Sequence, residues 1–477
     1  MMQIKSFIYI IFCSFILIAC VPKINKIEKN DESKISDELK IIKEYKSKDE
    51  LTIKWWESFQ DLQLNLIITK ALEESNSLKS IKQRYEKANA IIKSVESENL
   101  PNISFESDVT RQRFSENHIF PAPLGGGEFT TYHVGTTLDY KFDFWDERKS
   151  KIKSVKNRAY AQLAFIEQSK LDLSLAITQL YLSWNFNEKK VEILEEIAKI
   201  LDNESKLLKE KYDIGLADEV SLNNKKAQIS QIKYNIYSIE EIIKGQKASI
   251  CILGGFLPSF AQNLKKPNVN SSTNLSIPKD INLNLLSNRA DVIIQKYIVL
   301  SNDENINVAA TKFYPNINLS GVLGFTSFLS NDFLSKASSV PSVGFAVDLP
   351  IFDWGKRAAN LDEKVVEYNS SIYEYNDIVN KAVNEVIGVL NKIEYKNLQI
   401  RMHNEEQKSV ELNEKIANKR FQIGLNDKIF YFDSKINSLM IHIVEMELLE
   451  SHSKLELELI KSIGGGFKEE NLKNVKG

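Results

Sequence analysis

The residues able to carry chemistry are sparse and scattered. The five histidines fall at 118, 133, 403, 442 and 452 and the three cysteines at 13, 20 and 251, so none has the clustered spacing of a tetrahedral metal site. His442 and Glu445 share a helix face, but one imidazole and one carboxylate make a surface pair rather than a metal centre. No G-x-S-x-G elbow, phosphate-binding P-loop or H-E-x-x-H helix is present. The glycine triplets at 125–127 and 464–466 sit in a strand-joining loop and after the last helix, and neither opens a helix within a βαβ unit, so phosphate binding is not supported. The expectation is a protein that is not an enzyme and uses neither metal nor cofactor. What does recur is a turn: KYDIGLADEV at 211–220 returns as RFQIGLNDKI at 420–429, each between long charged helical stretches.

Those turns need a scaffold, and 477 residues with 43% hydrophobic content are enough for several domains or one large repeated one. The 62 basic and 64 acidic residues nearly cancel to a net charge of −2, which leaves no electrostatic footprint for nucleic acid. At the N-terminus, Lys5 and Ser6 precede an apolar run from Phe7 to Ala19 that ends in LIAC. This run is too short to span a bilayer as a helix and reads as a secretory signal, residues 1–19. An ordinary cleaved signal would leave Cys20 incidental. However, Leu17-Ile18-Ala19-Cys20 resembles the bacterial lipobox, in which cleavage leaves an acylated cysteine. Removal of Cys13 and acylation of Cys20 would leave Cys251 alone, with no internal disulfide, so packing and assembly must supply stability.

The hydrophobic period changes repeatedly along the chain. After a polar lead within 20–61, expected to be mobile over 21–50, the pattern is helical from Leu62 to about Asn99 and stops at Leu100-Pro101. It then alternates: Ile103, Phe105 and Val109 oppose Ser104, Glu106 and Asp108, and farther on Tyr132, Val134, Leu138, Tyr140 and Phe142 oppose polar neighbours. Strands are expected over about 102–115 and 129–144. A long helix follows from Glu147 to about Lys211, with Leu194, Leu201 and Leu208 repeating every seven residues. Beyond the first turn, Ile229, Ile232, Ile236, Ile239 and Ile243 mark a second helical seam.

From Cys251 the composition shifts to glycine, proline, asparagine and serine, a linker assigned to 254–282. The order of events then begins again: a helix from Leu283, strands over about 316–328 and 341–352, a long helix to the second turn, and a last helix to Ile463 before the tail 464–477. Trp145 and Trp354 are 209 residues apart, as are Gly215 and Gly424. The chain is thus a duplicated unit, 62–253 and 283–463, of helix, strand pair, long helix, turn and long helix. Its fold class is a mixed α and β membrane protein. Four strands cannot close a barrel, and an open sheet would leave bare edges in lipid. Cyclic assembly of three copies would give twelve strands. The first long helix alone would reach on the order of 100 Å, which suits a tunnel.

The chain resembles the outer-membrane factor family of TolC/OprM-like efflux ducts, in its lipoprotein branch, over about residues 50–463. The resemblance rests on LIAC, WWESFQD at 55–61, LPNI at 100–103, FDFWDER at 142–148, LLSNRADV at 285–292, FYPNINLSGVLG at 313–324, DLPIFDWGKR at 348–357 and the two IGL turns. It departs from the family at Ala290, where proline is usual, and at Asp146, where glycine is usual. It implies a homotrimer held in outer-membrane lipid as a twelve-stranded β-barrel, continued by a periplasmic α-helical barrel. The partners it implies are a periplasmic adaptor and an inner-membrane pump, with small toxic solutes carried passively outward. The exit duct of a type I protein secretion system shares the fold, and a non-conducting structural coiled-coil lipoprotein is the alternative of another class.

The same resemblance assigns the sites. Gly215, Leu216, Gly424 and Leu425 become the adaptor-docking tips, with the glycines supplying a turn that a Cβ would resist. Asp433 falls at the family's acidic gate position and Ile429 at an apolar constriction, while Phe430 replaces an acidic position of some members. Three Asp433 carboxylates around an axis would filter charge, and three Ile429 side chains would narrow the pore. Asp427 is expected to cap the last helix rather than to gate.

Overall fold

A computed structural model describes residues 22–29, 52–117, 119, 121–269 and 288–473. The signal 1–19, Cys20 and most of the linker lie outside the described residues. Two compact units emerge, and each draws on both sequence repeats.

The first unit takes residues 22–29, Tyr85–Ala161 and Gln295–Tyr375. It contains one antiparallel sheet in the order β1 (Asn102–Arg113), β2 (Glu128–Phe142), β3 (Asn316–Ser327), β4 (Ser342–Asp348). Its register explains the alternation. Ile103 pairs with Leu138, Leu138 with Gly321, and Gly321 with Val343; one step along, Tyr140 pairs with Leu319 and Leu319 with Phe345. Because side chains alternate with period two, this register puts every apolar set on one face and Ser104, Asp108, His133, Thr137 and Thr326 on the other. The apolar face is bare, with Phe105 70% and Phe345 73% exposed. Among the described residues no strand covers the outer edge of β1 or β4. The second hairpin's return strand is shorter than expected: β4 ends at Asp348, and Leu349 and Ile351 do not extend the ladder, because Pro350 has no N–H to give it.

Each strand pair hands over to a long helix in the same way. Arg148 reaches back to the carbonyl oxygens of Glu98 and Lys141, and Arg357 to that of Pro350. Asp146 adopts φ 59°, and its counterpart in the second repeat, Gly355, adopts φ 85°. The left-handed conformation is therefore retained, and Asp is one of the few residues that tolerates it. The lead is ordered over 22–29: Ile24 packs with Ile306, Leu361 and Val365, and Asn369 holds Ile27 N–H and Asn25 C=O from both sides. Mobility was the wrong expectation for these eight residues, since an apolar anchor and paired backbone groups offset the loss of chain freedom.

The second unit comprises, among the described residues, 52–84, 162–269, 288–294 and 376–473. Its core gathers Trp55, Trp56 and Phe59 against Tyr181, Trp184 and Phe186. Asp61 caps α1 (Leu62–Glu74) by accepting Leu64 N–H at 2.8 Å, and also accepts the Tyr181 hydroxyl at 3.1 Å. The first helical stretch is two helices, α1 and α2 (Asn76–Ser97), broken at Ser75. The backbone of Gly255 comes close to Glu74 and Ser75 there, and a Cβ on Gly255 would stand 3.0 Å from the Glu74 carbonyl oxygen. The long helices are α3 (Glu147–Asp213), α4 (Glu219–Gly254), α7 (Lys356–Gln422) and α8 (Lys428–Ser462). Leu194, Leu201 and Leu208 are buried as the heptad predicts. The start of the expected linker is helical instead. Cys251 lies within α4, and Pro258–Gln262 forms a short helix, α5, with proline in its first turn. The next helix, α6, is Ala290–Thr311. Ala290 is its first residue, where proline and alanine both fit because that N–H has no partner within the helix.

Candidate pore gate and docking tips

Both turns are the same left-handed helix terminus. At the end of α3, Gly215 N–H donates to Tyr212 C=O at 2.9 Å and Leu216 N–H to Lys211 C=O at 2.7 Å; at the end of α7, Gly424 donates to Phe421 at 2.9 Å and Leu425 to Arg420 at 2.8 Å. This is the Schellman pattern, which satisfies carbonyls that the helix end leaves open. It requires positive φ, found at 77° for Gly215 and 76° for Gly424. No atom lies within 4 Å of where a Cβ would stand at either glycine. Backbone conformation, and not crowding, therefore demands the glycine. Leu216 and Leu425 are 73% and 65% exposed, and Ile214 and Ile423 are exposed beside them.

The following helices start with a carboxylate cap. Asp218 accepts Ser221 N–H at 2.6 Å, and Asp427 accepts Ile429 N–H at 3.4 Å, each satisfying an orphan donor of the first turn. Asp427 also pairs with Lys211 of the other turn, so the capping group links the two tips. Lys211 and the backbone donors hold its carboxyl below the usual range. Within the second tip, Phe421 and Tyr431 stack with ring centroids 6.2 Å apart, which zips α7 to α8.

Ile429 is half-buried, Phe430 is exposed, and Asp433 is exposed one turn beyond Ile429. Ile429 and Asp433 share a helix face. Asp433 is not a free carboxylate: Lys225 Nζ of α4 stands 3.4 Å from its Oδ1, and the same ammonium stands 2.7 Å from Oε1 of Glu204 on α3. Glu204 is wholly buried. Burial pushes its carboxyl above the ordinary range against the pull of Lys225, and the charge of Asp433 adds to the rise. Farther along, Lys435 pairs with Glu196 at 2.8 Å and Lys190 with Glu450 at 3.3 Å. A series of ion pairs thus joins α3 and α4 to α8.

The structure therefore brings the two tips together through Lys211 and Asp427, and gives Asp433 a partner, Lys225, that sequence reasoning missed. The signal for Lys225 is faint: it lies ten residues after Gly215, as Asp433 lies nine after Gly424. Nothing local marks Glu204 as its partner. Cys20 lies outside the described residues. His442 does pair with Glu445, at 3.1 Å, and neighbours Glu411 at 3.8 Å. Among the described residues no group of three or more His, Cys, Asp or Glu is placed to hold a metal ion, and no helix is long and apolar enough to cross a membrane.

A sheet with one bare apolar face, continued in sequence by long helices that turn back on themselves through glycine caps, defines a channel-forming protein of the outer membrane. The sequence pattern described as Outer membrane efflux protein matches residues 67–239 and 284–430, and the chain belongs to that family. Among curated relatives it is similar to the putative multidrug resistance outer membrane protein MdtQ of Escherichia coli K12, 25% identical over 430 residues, covering 87% of this chain and 88% of MdtQ. It is also similar to the multidrug resistance outer membrane protein MdtP of the same strain, 24% identical over 422 residues, covering 87% and 86%. The Campylobacter jejuni CmeC outer membrane channel shares the fold with a TM-score of 0.83 at 22% identity, covering 95% of this chain and 97% of CmeC. The outer-membrane channel OprN does so with a TM-score of 0.80 at 16% identity, covering 94% and 99%.

Proposed function

We propose that three copies close one twelve-stranded barrel and form the exit duct of a tripartite efflux system, passing small toxic solutes outward. The observation that carries this reading is the four-stranded sheet whose apolar face is bare and whose two edges, among the described residues, are unpaired. A membrane admits such a sheet only in closed form. The relatives named for multidrug resistance support solutes rather than proteins as cargo. On this reading the repeats 62–253 and 283–463 each supply half of a protomer's wall, and residues 254–282 join them. Acylated Cys20 adds a lipid anchor, and the exposed Ile214-Gly215-Leu216 and Ile423-Gly424-Leu425 tips meet a periplasmic adaptor coupled to an inner-membrane pump. Driving energy enters at that pump, and the duct is passive.

Asp433 and Ile429 form the gate, with Phe430 as a further apolar side chain beside them. Planar-bilayer recording of the purified assembly tests this: a small, cation-favouring conductance is expected, rising in Asp433→Ala. A protein that inserts but never conducts would refute the duct. Deletion should sensitise cells to a drug panel, whereas unchanged susceptibility with a missing secreted protein would assign the duct to protein export.

A further inference from the structure

We infer that Glu204 sets the charge that Asp433 presents to the pore, by competing with it for the ammonium of Lys225. The inference rests on the gate reading of Asp433. One cation stands between two carboxylates of different environments. Lys225 is 2.7 Å from Glu204, which is fully buried, and 3.4 Å from Asp433, whose side chain is 59% exposed. The Lys225 side chain is itself only 17% exposed. Apart from Lys225, neither Glu204 oxygen has a hydrogen-bond partner among the described residues, so the ion pair is what compensates its charge. The charged groups acting on Glu204 are Lys225 of α4 and Asp433 of α8. Neighbouring charges on α3 and α8 are engaged elsewhere, Asp202 with Lys206 and Glu196 with Lys435.

An ionised, buried Glu204 must keep its counter-ion, because an unpaired charge out of water is costly. Lys225 then stays with Glu204, and Asp433 keeps most of its negative charge toward solvent. Once Glu204 takes up a proton it no longer needs Lys225, and the ammonium is free to neutralise Asp433. Burial raises the Glu204 carboxyl, which moves this exchange toward neutral pH. The cation preference of the channel should therefore weaken on acidification.

The test is the reversal potential of the full-length channel in a potassium chloride gradient, between about pH 8 and about pH 5. Wild type should move toward zero as the pH falls. Glu204→Gln, which mimics the protonated acid without adding bulk, should show the acid-side value throughout. The double variant Glu204→Gln with Lys225→Met removes the competitor and the buried charge together, so it should be more cation-selective than wild type and flat over the same range. A Glu204→Gln channel that keeps the wild-type pH profile would overturn the inference. Asp433→Ala separates the two ideas: if it leaves selectivity unchanged, the gate reading itself fails, and if it alters selectivity while Glu204→Gln behaves as wild type, only the role of Glu204 fails.

Discussion

Replacing Gly215 or Gly424 by alanine should loosen one turn and nothing else, and the size of the effect follows from the geometry. Both glycines have φ near 77°, and neither would place a Cβ within 4 Å of any atom. The steric packing cost is therefore absent, and only the intrinsic penalty for an L-residue in the left-handed region remains, about 1–2 kcal/mol. That corresponds to roughly 5- to 30-fold more frequent opening of the cap. The loss should be read at the amides of Leu216 and Leu425, whose N–H groups close the turns on Lys211 and Arg420, by hydrogen–deuterium exchange of the assembled protein. Asparagine should cost less than alanine at either position, because it visits this conformation more readily. Gly465 provides the contrast, since a Cβ there would stand 2.3 Å from Leu171 Cδ1, adding an overpacking cost of about 1–3 kcal/mol. Unchanged exchange at Leu216 and Leu425 in both alanine variants, or loss of the whole fold, would refute the argument that backbone conformation alone requires these glycines.

Burial pushes the Glu456 carboxyl up to about 8 from 4.5, with its side chain 14% exposed. The folded state therefore holds a proton that the unfolded chain releases, so the associated stability is fully present below about pH 4.5 and is lost as the pH rises through about 8, at up to about 1.4 kcal/mol per pH unit. Glu456→Gln should remove that slope from thermal unfolding measured across this range, and an unchanged slope would refute it. On the sheet, Phe345→Lys places a charge on the bare apolar face and should cost about 2–4 kcal/mol of membrane-inserted stability if the site lies near the bilayer midplane. Ala346→Lys, on the opposite face, should insert normally. Equal insertion of both variants would mean that the apolar face does not meet lipid.

The elements were legible because their signals are local. Period two at Ile103–Val109 and Val343–Val347, heptads through Leu194–Leu208, and an Ile-Gly-Leu turn after each long helix all act within a few residues of chain. Where local rules competed with remote contacts, the sequence misled. Ser75 breaks an otherwise continuous helical pattern where the backbone of Gly255 approaches. The polar lead over 22–29 is ordered by Ile306, Leu361 and Asn369, which lie hundreds of residues away. Pro350 was a local signal that the alternation of Leu349 and Ile351 obscured.

The proposed gate shows the same division. The family resemblance, counted from Gly424, singled out Asp433, Ile429 and Phe430, and the turn chemistry of Gly215 and Gly424 needed no tertiary information. Duplication, strand number and the two caps follow from residue types and their spacing, since these are short-range consequences of side-chain period and backbone sterics. Which ammonium stands beside Asp433 does not. Glu204, Lys225 and Asp433 lie on three different helices, and their meeting depends on how α3, α4 and α8 pack in register. Only the tertiary structure decides that, because ion pairing acts through space over a few ångströms and is blind to distance along the chain.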